Sequence, residues 1–567
     1  MKRILLSLIL FLMAFTLGAC QRPARLEPAA SLPTAYAEIL QTLTPGSGKT
    51  SAESGEQGGH LDPTSTPGQA KTIWLHPGLP EAFVRALDLG GLARAEDQAG
   101  ADLILAPVPI SEGTADSPIW TYALAAPFYT VTDELSLAAL KGIWQGQPAS
   151  GFEKIILTAD TKAALTVLLG EPNEATVAVL GAADLQSYAL AGEGLLAVLP
   201  FDALTPTWKV LRVEGRAPID ADFDPALNPL AVQFELQGDR DQAPPLPAGN
   251  YSPDRRTVLV MTGVTAMTRA TAYQMEIRGN TFPGTDIQNW LTSADLTHIS
   301  NEVPFAENCP SPDPNQPNLI FCSSPDRIEL LDYVGTDIIE LTGNHMLDYG
   351  AAAMNLTLQM YADRGWTYYA GGWDLADAQT PRLVTHNGNK LAFIGCNPVG
   401  PASDFATASQ PGSAPCGDYG WILGAISAAK AQGYLPIVTL QYNEDYTAIP
   451  SSQMIADFQS LVDAGAVVVN GSQAHTPKVM TFYKDGFIHY GLGNLFFDQM
   501  NVYYGETYMP YTRDEFIDRL VFYDNRLASV ELLTAELEDY ARPRPMTADE
   551  REAFLGRIFT AAQDYLE

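Results

Sequence analysis

Short apolar runs that each empty into a polar loop recur along the second half of this chain, and that rhythm constrains its fold more than any other feature. Residues 257–261 lead into Thr262-Gly263-Val264 and on to Arg269. Residues 338–341 lead into Thr342-Gly343-Asn344-His345-Met346-Leu347-Asp348-Tyr349-Gly350, and 436–440 into Gln441-Tyr442-Asn443-Glu444-Asp445-Tyr446. Residues 466–469 open into Asn470-Gly471-Ser472-Gln473-Ala474-His475, and 487–490 into Gly491-Leu492-Gly493-Asn494-Leu495-Phe496-Phe497-Asp498. A short apolar run bounded by turn formers reads as a buried strand. Strands that end in polar side chains can converge on one cleft. Asn344 and His345 are the sharpest pair, because an amide oxygen and an imidazole nitrogen are the neutral donors of a metal or phosphoester site. The same two residues also suit a chain turn followed by a helix cap.

Five blocks in order, from about Arg255 to about Tyr523, carry a resemblance. Gly263 and Arg269 match a Gly-Asp-x-Met-Leu-x-Arg block, and Glu302 and Pro304 match Asn-Leu-Glu-x-Pro. Asn344, His345, Asp348 and Gly350 match Asn-Asn-His-x-x-Asp-x-Gly. Tyr446 matches His-Trp-Gly-x-Glu-Tyr, and Gly471 and His475 match Gly-x-His-Pro-His. Asn494, Phe497 and Asp498 match the Leu-Gly-Asn-Phe-x-Phe-Asp segment that follows. The blocks resemble the CapA-type poly-γ-glutamate capsule synthesis proteins, whose domain is related to the calcineurin-like metallophosphatases. Helices at 351–364, 419–432 and 451–464 each follow a strand-and-loop unit. This order and the resemblance both imply an α/β fold, a two-sheet α/β sandwich of metallophosphatase-like type, preceded by a smaller α/β domain.

The frame is kept while the ligands change. Val264 stands where the first block has Asp, Ser300 and Gly343 each replace an Asn, Gln441 and Gln473 each replace a His, and Asp445 replaces a Glu. A dinuclear site needs a bridging carboxylate and several strong donors, and Gln amides bind transition metals weakly. The surviving set, Glu302, Asn344, His345 and His475, can hold one divalent cation (Mn, Zn or Mg) or orient a substrate by hydrogen bonds. As the resemblance implies, His345 or His475 would serve as acid-base, Glu302 as orienter or ligand, and Asn344 with Asn494 as donors to an oxyanion. Arg269, Gln441, Asp445, Gln473 and Asp498 would contact substrate. The reaction implied is hydrolysis or transfer on an anionic polymer or phosphoester. A non-catalytic ligand-binding or sensor protein is the alternative. His298 and His489 read as structural, whereas Trp373 beside Gly371-Gly372 is a packing residue or the wall of a cleft.

The amino terminus addresses the place of work. Lys2 and Arg3 precede an apolar stretch, 4–17, that ends in Gly18-Ala19-Cys20. This matches the lipobox of bacterial lipoproteins, so cleavage before Cys20 and its lipidation would give an extracytoplasmic, membrane-anchored protein. A plain cleaved signal peptide is the alternative. Residues 21–70, rich in Pro, Ser, Thr, Gly and Glu, read as a tether. Residues 71–240 alternate strands near 72–75, 102–106, 154–158 and 176–179 with helices near 80–87, 135–143 and 162–169. Within them, Ala125 to Asp133 and the helix ending Ile143-Trp144-Gln145-Gly146 resemble the hinge region of type 2 periplasmic solute-binding proteins, which implies a shortened binding lobe or a packing module. A Pro-rich linker, 241–253, precedes the capsule-type domain, 254–535. A carboxy-terminal helical segment, 536–567, completes the chain, with its helix at 547–566.

Besides Cys20 the chain has Cys309, Cys322, Cys396 and Cys416, with no Cys-x-x-Cys spacing. An even number in an exported protein pairs as two local bridges, Cys309 with Cys322 and Cys396 with Cys416. The net charge of −33 disfavours nucleic acid and anionic lipid surfaces as partners. It also requires a local basic cleft wherever a polyanion is captured, since repulsion is screened beyond a Debye length. The partners this reading implies are an anionic exopolymer or the capsule machinery, with the lipid anchor in the membrane.

Overall fold

The structure, a computed structural model, describes residues 71–190, 194–238, 243–499 and 511–566. The signal peptide, Cys20, the tether and the Asp241-Gln242 start of the linker lie outside the described residues. No described helix is long and apolar enough to cross a membrane.

The apolar runs become the parallel strands of two facing sheets. In the seven-stranded sheet, Thr367–Tyr369, Ile338–Glu340, Leu296–Asn301 and Arg256–Thr265 run parallel. Asp514–Tyr523, Leu527–Glu538 and Arg542–Pro545 then extend it antiparallel. In the six-stranded sheet, Asn389–Cys396, Leu435–Gln441, Val468–Ser472 and Gly486–His489 are parallel, flanked by the antiparallel edges Arg382–His386 and Met480–Tyr483. Parallel strands are covered on both faces, which is why these runs are continuously apolar. Every residue of Arg256–Thr265 is buried. Leu259, Met261 and Ile338 face the side of the six-stranded sheet that carries Phe393, Ile437 and Phe487, where Tyr369 packs on Phe393 at 5.6 Å and meets Thr439 Oγ1 at 2.8 Å. Val260, Ile299 and Ile339 face the opposite way, onto Met354 and Leu358 of the helix Gly350–Arg364. The expected two-sheet sandwich is therefore present, in a mixed α/β chain of several sheets.

His298 and His489 lie inside this sandwich as structural side chains. His298 Nε2 meets Tyr369 Oη at 2.8 Å, and burial pushes its pKa down to about 3, so the ring is neutral. His489 Nδ1 pairs with Asp518 at 2.6 Å with both groups buried.

The first α/β unit is built on one ten-stranded sheet. Its element ends differ slightly from the sequence expectation. The strand placed at 102–106 runs Leu103–Pro109, because Pro107 and Pro109 still pair with Phe234 and Val232 of an antiparallel neighbour. The helix expected at 135–143 is Leu137–Trp144, since Ser136 caps it by accepting from Ala139 N at 3.1 Å.

Residue 536, expected to open a helical segment, lies inside the strand Leu527–Glu538, and Arg542–Pro545 adds an edge strand before the helix Ala548–Leu566. Cross-strand charge explains it. Glu536 and Glu538 stand in register with Arg544 and Arg542, with ion pairs of 2.7 Å (Arg544–Glu536) and 3.0 Å (Arg542–Glu538). Both disulfides form as paired from the sequence, with Cα atoms 5.8 Å apart for Cys309–Cys322 and 5.0 Å for Cys396–Cys416.

Candidate functional site

The carboxyl ends of the parallel strands from both sheets meet at one edge of the sandwich, and the polar loops assemble there. The loop after Gly486–His489 crosses to the other sheet. Val264 N donates to Gly493 O at 3.0 Å, and Leu495 N donates to Val264 O at 2.8 Å. The crossing explains two residues of the first block. A Cβ on Gly263 would sit 2.2 Å from Gly493 O, so only glycine fits. Val264, 2% exposed, is a β-branched strand residue where the family pattern has an acid.

Two histidines face this edge from opposite sheets, and each is held by its Nδ1. His345 Nδ1 lies 2.8 Å from Asp348 Oδ2, which also accepts from Phe321 N at 2.7 Å. His475 Nδ1 lies 2.8 Å from Asn494 Oδ1, while Asn494 Nδ2 donates to His475 O at 3.3 Å and Thr512 O at 3.0 Å. Both partner oxygens are acceptors, so each Nδ1 carries a hydrogen and each Nε2 faces outward, with a lone pair in the neutral ring and a proton in the imidazolium. Burial lowers the His345 pKa, but the Asp348 hydrogen bond, Glu302 and Asp404 outweigh it, and the net direction is up.

The amides that replace imidazoles are tied to each other. Gln441 Nε2 donates to Gln473 Oε1 and, at 3.1 Å, to Asn344 Oδ1. Thr342 Oγ1 reaches Gln441 Oε1 at 3.4 Å. Asn344, Gln441 and Gln473 therefore form one amide chain. Beneath it Glu340 is fully buried, its carboxyl pushed up by burial and restrained by bonds from Ser300, Thr342 and Ser472. Glu302 is 4% exposed, and its Oε1 has no partner. Gly343, in place of an Asn, makes room for it, since a Cβ there would meet Glu302 Cα at 3.0 Å.

Arg269 sits between the histidines. Its guanidinium carbon lies 5.0 Å from the ring centroids of both Phe321 and Phe497. Phe321 in turn packs on His345 at 4.7 Å and Phe497 on His475 at 5.1 Å. Asp498 pairs with Arg269 Nη2 and accepts from Ala270 N at 2.8 Å, so it holds the arginine and caps its helix. The result is a tilted stack, imidazole, phenyl, guanidinium, phenyl, imidazole, with interplanar angles of 57° on the His345 side and 36° on the His475 side and the Arg269–Asp498 pair at its centre.

Of the residues expected to touch substrate, Asp445 turns away, into an ion pair with the buried Lys478 Nζ. Its neighbour Glu444 faces the histidines instead. Burial raises the Glu444 pKa, but His475, the bonds from Tyr446 and Gln499, and His345 outweigh it and bring it below the usual carboxylate range. Sequence reasoning also missed Phe321 and Asp404, one from each disulfide-closed loop. Asp404 is 3% exposed behind His345. Burial and the Asp348 carboxylate raise its pKa to about 7, against the pull of His345 and the Leu347 N–H. No motif marks either residue. The one available signal was that both disulfides close loops between site-bearing strands.

The donors fit a resident metal centre poorly. Val264 offers none, Asn344 Oδ1 and Gln473 Oε1 already accept from Gln441, and among the described residues no three His, Cys, Asp or Glu side chains group as ligands. The expected set thus reduces to Glu302 Oε1 and the two Nε2 atoms on separate loops.

Comparison with known proteins places this edge. The family described as bacterial capsule synthesis protein PGA_cap matches residues 258–499, the segment that holds every strand-end loop of the site. Residues 258–499 are similar to that family over less than half of the chain. The PGA_cap segment is similar to the capsule biosynthesis protein CapA of Bacillus anthracis, 28% identical over 235 residues, 41% of this chain and 55% of that protein. It is also similar to the PGA biosynthesis protein CapA of Bacillus subtilis (strain 168), 26% identical over 180 residues, 31% of this chain and 47% of that one. The chain thus spans about half the length of the curated relatives it matches. Among solved structures, a putative 5'-nucleotidase from Staphylococcus aureus overlaps at TM-score 0.31 and 11% identity, covering 54% of this chain and 58% of that one. Likeness at that level says nothing about chemistry. The match is to residues 258–499 alone, and the two disulfides belong to an oxidising, extracytoplasmic setting.

Proposed function

We propose that the PGA_cap cleft binds a carboxylate-bearing anionic polymer of the poly-γ-glutamate type and cleaves or transfers it at an amide bond. The carrying observation is the stack in which Arg269 is fixed between two phenyl rings that each buttress one histidine. A desolvated guanidinium with Nη2 held by Asp498 keeps the rest of its fork for a carboxylate.

In this reading His475, backed by the neutral Asn494 amide, takes the proton of the attacking water or amine through Nε2. His345, backed by Asp348 and with its pKa raised, starts as the imidazolium and delivers its Nε2 proton to the leaving nitrogen as the nucleophile bonds the carbonyl carbon and the C–N bond breaks. Asn344 Nδ2 is the donor left to a developing oxyanion, because its oxygen is held by Gln441. Glu302 and Glu444 orient the imidazolium forms.

Assay of purified protein on poly-γ-glutamate tests it. His345→Ala and His475→Ala are each expected to lower turnover by about a hundredfold or more, and unchanged turnover in both sinks the mechanism. A second reading, binding without catalysis, is favoured by the self-satisfied amide chain. It predicts polymer affinity with no turnover in the wild type. Lipid anchoring through Cys20 completes the proposal, and the mass of the amino-terminal peptide from membranes, with or without a diacylglyceryl adduct, decides it.

A further inference from the structure

Arg327 is a buried cation with no partner. It is 7% exposed, yet it makes no hydrogen bond, ion pair or ring contact through its guanidinium among the described residues. The turn Pro325–Ile328 fixes its backbone by seating Ile328 in the core. Two acids, Asp326 and Glu276, act on it only at a distance, and Asp326 is engaged by Ser324 and Asn280. A guanidinium stays charged at any physiological pH, so burial without a counter-charge is a standing cost. Burial indeed lowers the Arg327 pKa, more than those two acids restore it.

The side chain lines a concavity shared with Arg269, Gln316, Tyr349 and the Cys309–Cys322 bridge. Arg269 therefore borders both this concavity and the histidine cleft. In a chain of net charge −33, this hollow brings together Arg269, paired with Asp498 through Nη2 only, and the unpaired Arg327, which supplies the local positive charge that polyanion capture requires.

We propose that Arg327, with Arg269, forms a carboxylate subsite beside the cleft that takes a second acidic group of the same polymer. This rests on the reading that the cleft binds such a polymer. Spaced carboxylates on one flexible chain would occupy Arg269 and Arg327 together, and neither alone would fix the register.

Titration calorimetry of the full chain with a γ-linked glutamate oligomer, and separately with inorganic phosphate, tests it on wild type and Arg327→Met. The variant is expected to bind the oligomer about tenfold more weakly, with a shallower salt dependence. Its ligand-free thermal midpoint should equal or exceed that of wild type, because no native contact is lost. Equal oligomer affinity in the variant overturns the subsite and leaves the cleft reading standing. A lowered ligand-free midpoint assigns Arg327 to structure and also overturns it. Arg327-dependent binding of phosphate, with no binding of the oligomer, keeps the anion site and removes the polymer reading. Binding of neither anion by the wild type overturns both.

Discussion

At the scale of single residues, glycine and the substituted ligands carry the argument. Gly263→Ala would place a methyl 2.2 Å from Gly493 O, a backbone atom pinned by the Val264 pairing, so the crossing loop must shift. A loss of about 3 kcal/mol in denaturant unfolding is expected. Val264, Gln441 and Gln473 form a second test at this scale. Restoring the family pattern with Val264→Asp, Gln441→His and Gln473→His should create a divalent-metal site visible by elemental analysis. Oligomer binding by the wild type should survive chelation. A wild type that purifies with stoichiometric metal and loses binding in chelator would contradict the donor argument.

Among elements, the two disulfide-closed loops do more than brace the fold. The Cys309–Cys322 loop presents Phe321, whose ring lies against both His345 and Arg269 and whose N–H bonds Asp348. The Cys396–Cys416 loop presents Asp404 behind the same histidine. Removing the first bridge with Cys309→Ser and Cys322→Ser is expected to cost about 3 kcal/mol of stability by loop entropy. It should also weaken oligomer binding at temperatures where the protein is still folded. Unchanged binding would separate Phe321 from the site.

Across the whole molecule, the amino-terminal unit is bound into the sandwich. Phe128 packs edge-on against Phe482 at 4.9 Å, and Asp133 takes a forked pair from Arg551 at 2.6 and 2.9 Å, with Lys209 Nζ at 2.7 Å. Burial would raise the Asp133 pKa, but those cations bring it down from 3.8 to about 2. A depressed carboxylate pKa stabilises the folded state above the unfolded value, and that contribution is lost as pH falls through the folded one. The advantage of wild type over Asp133→Asn should therefore hold above pH 4 and vanish towards pH 2, read from thermal midpoints in a pH series. A constant difference across that window would show that Asp133 contributes by packing alone.

What the chain determined by itself is local or nearly so. The strand-and-loop rhythm from 257 to 498, the buried roles of His298 and His489, and the nearest-neighbour pairing of four cysteines all depend on periodicity, polarity and short separation, which one dimension records. Tertiary structure alone decided which side chains meet. Asp445 looked like the site acid by position, yet Lys478, 33 residues on, drew it away and left Glu444 facing the histidines. Gln441 and Gln473 looked like separate contacts, yet adjacent strands brought their amides together. Phe321, Asp404 and the unpaired Arg327 came into view only when loops from different strands closed over one edge. Contacts of that kind depend on which loop ends share a volume and which charges lack partners there, and spacing along the sequence encodes neither.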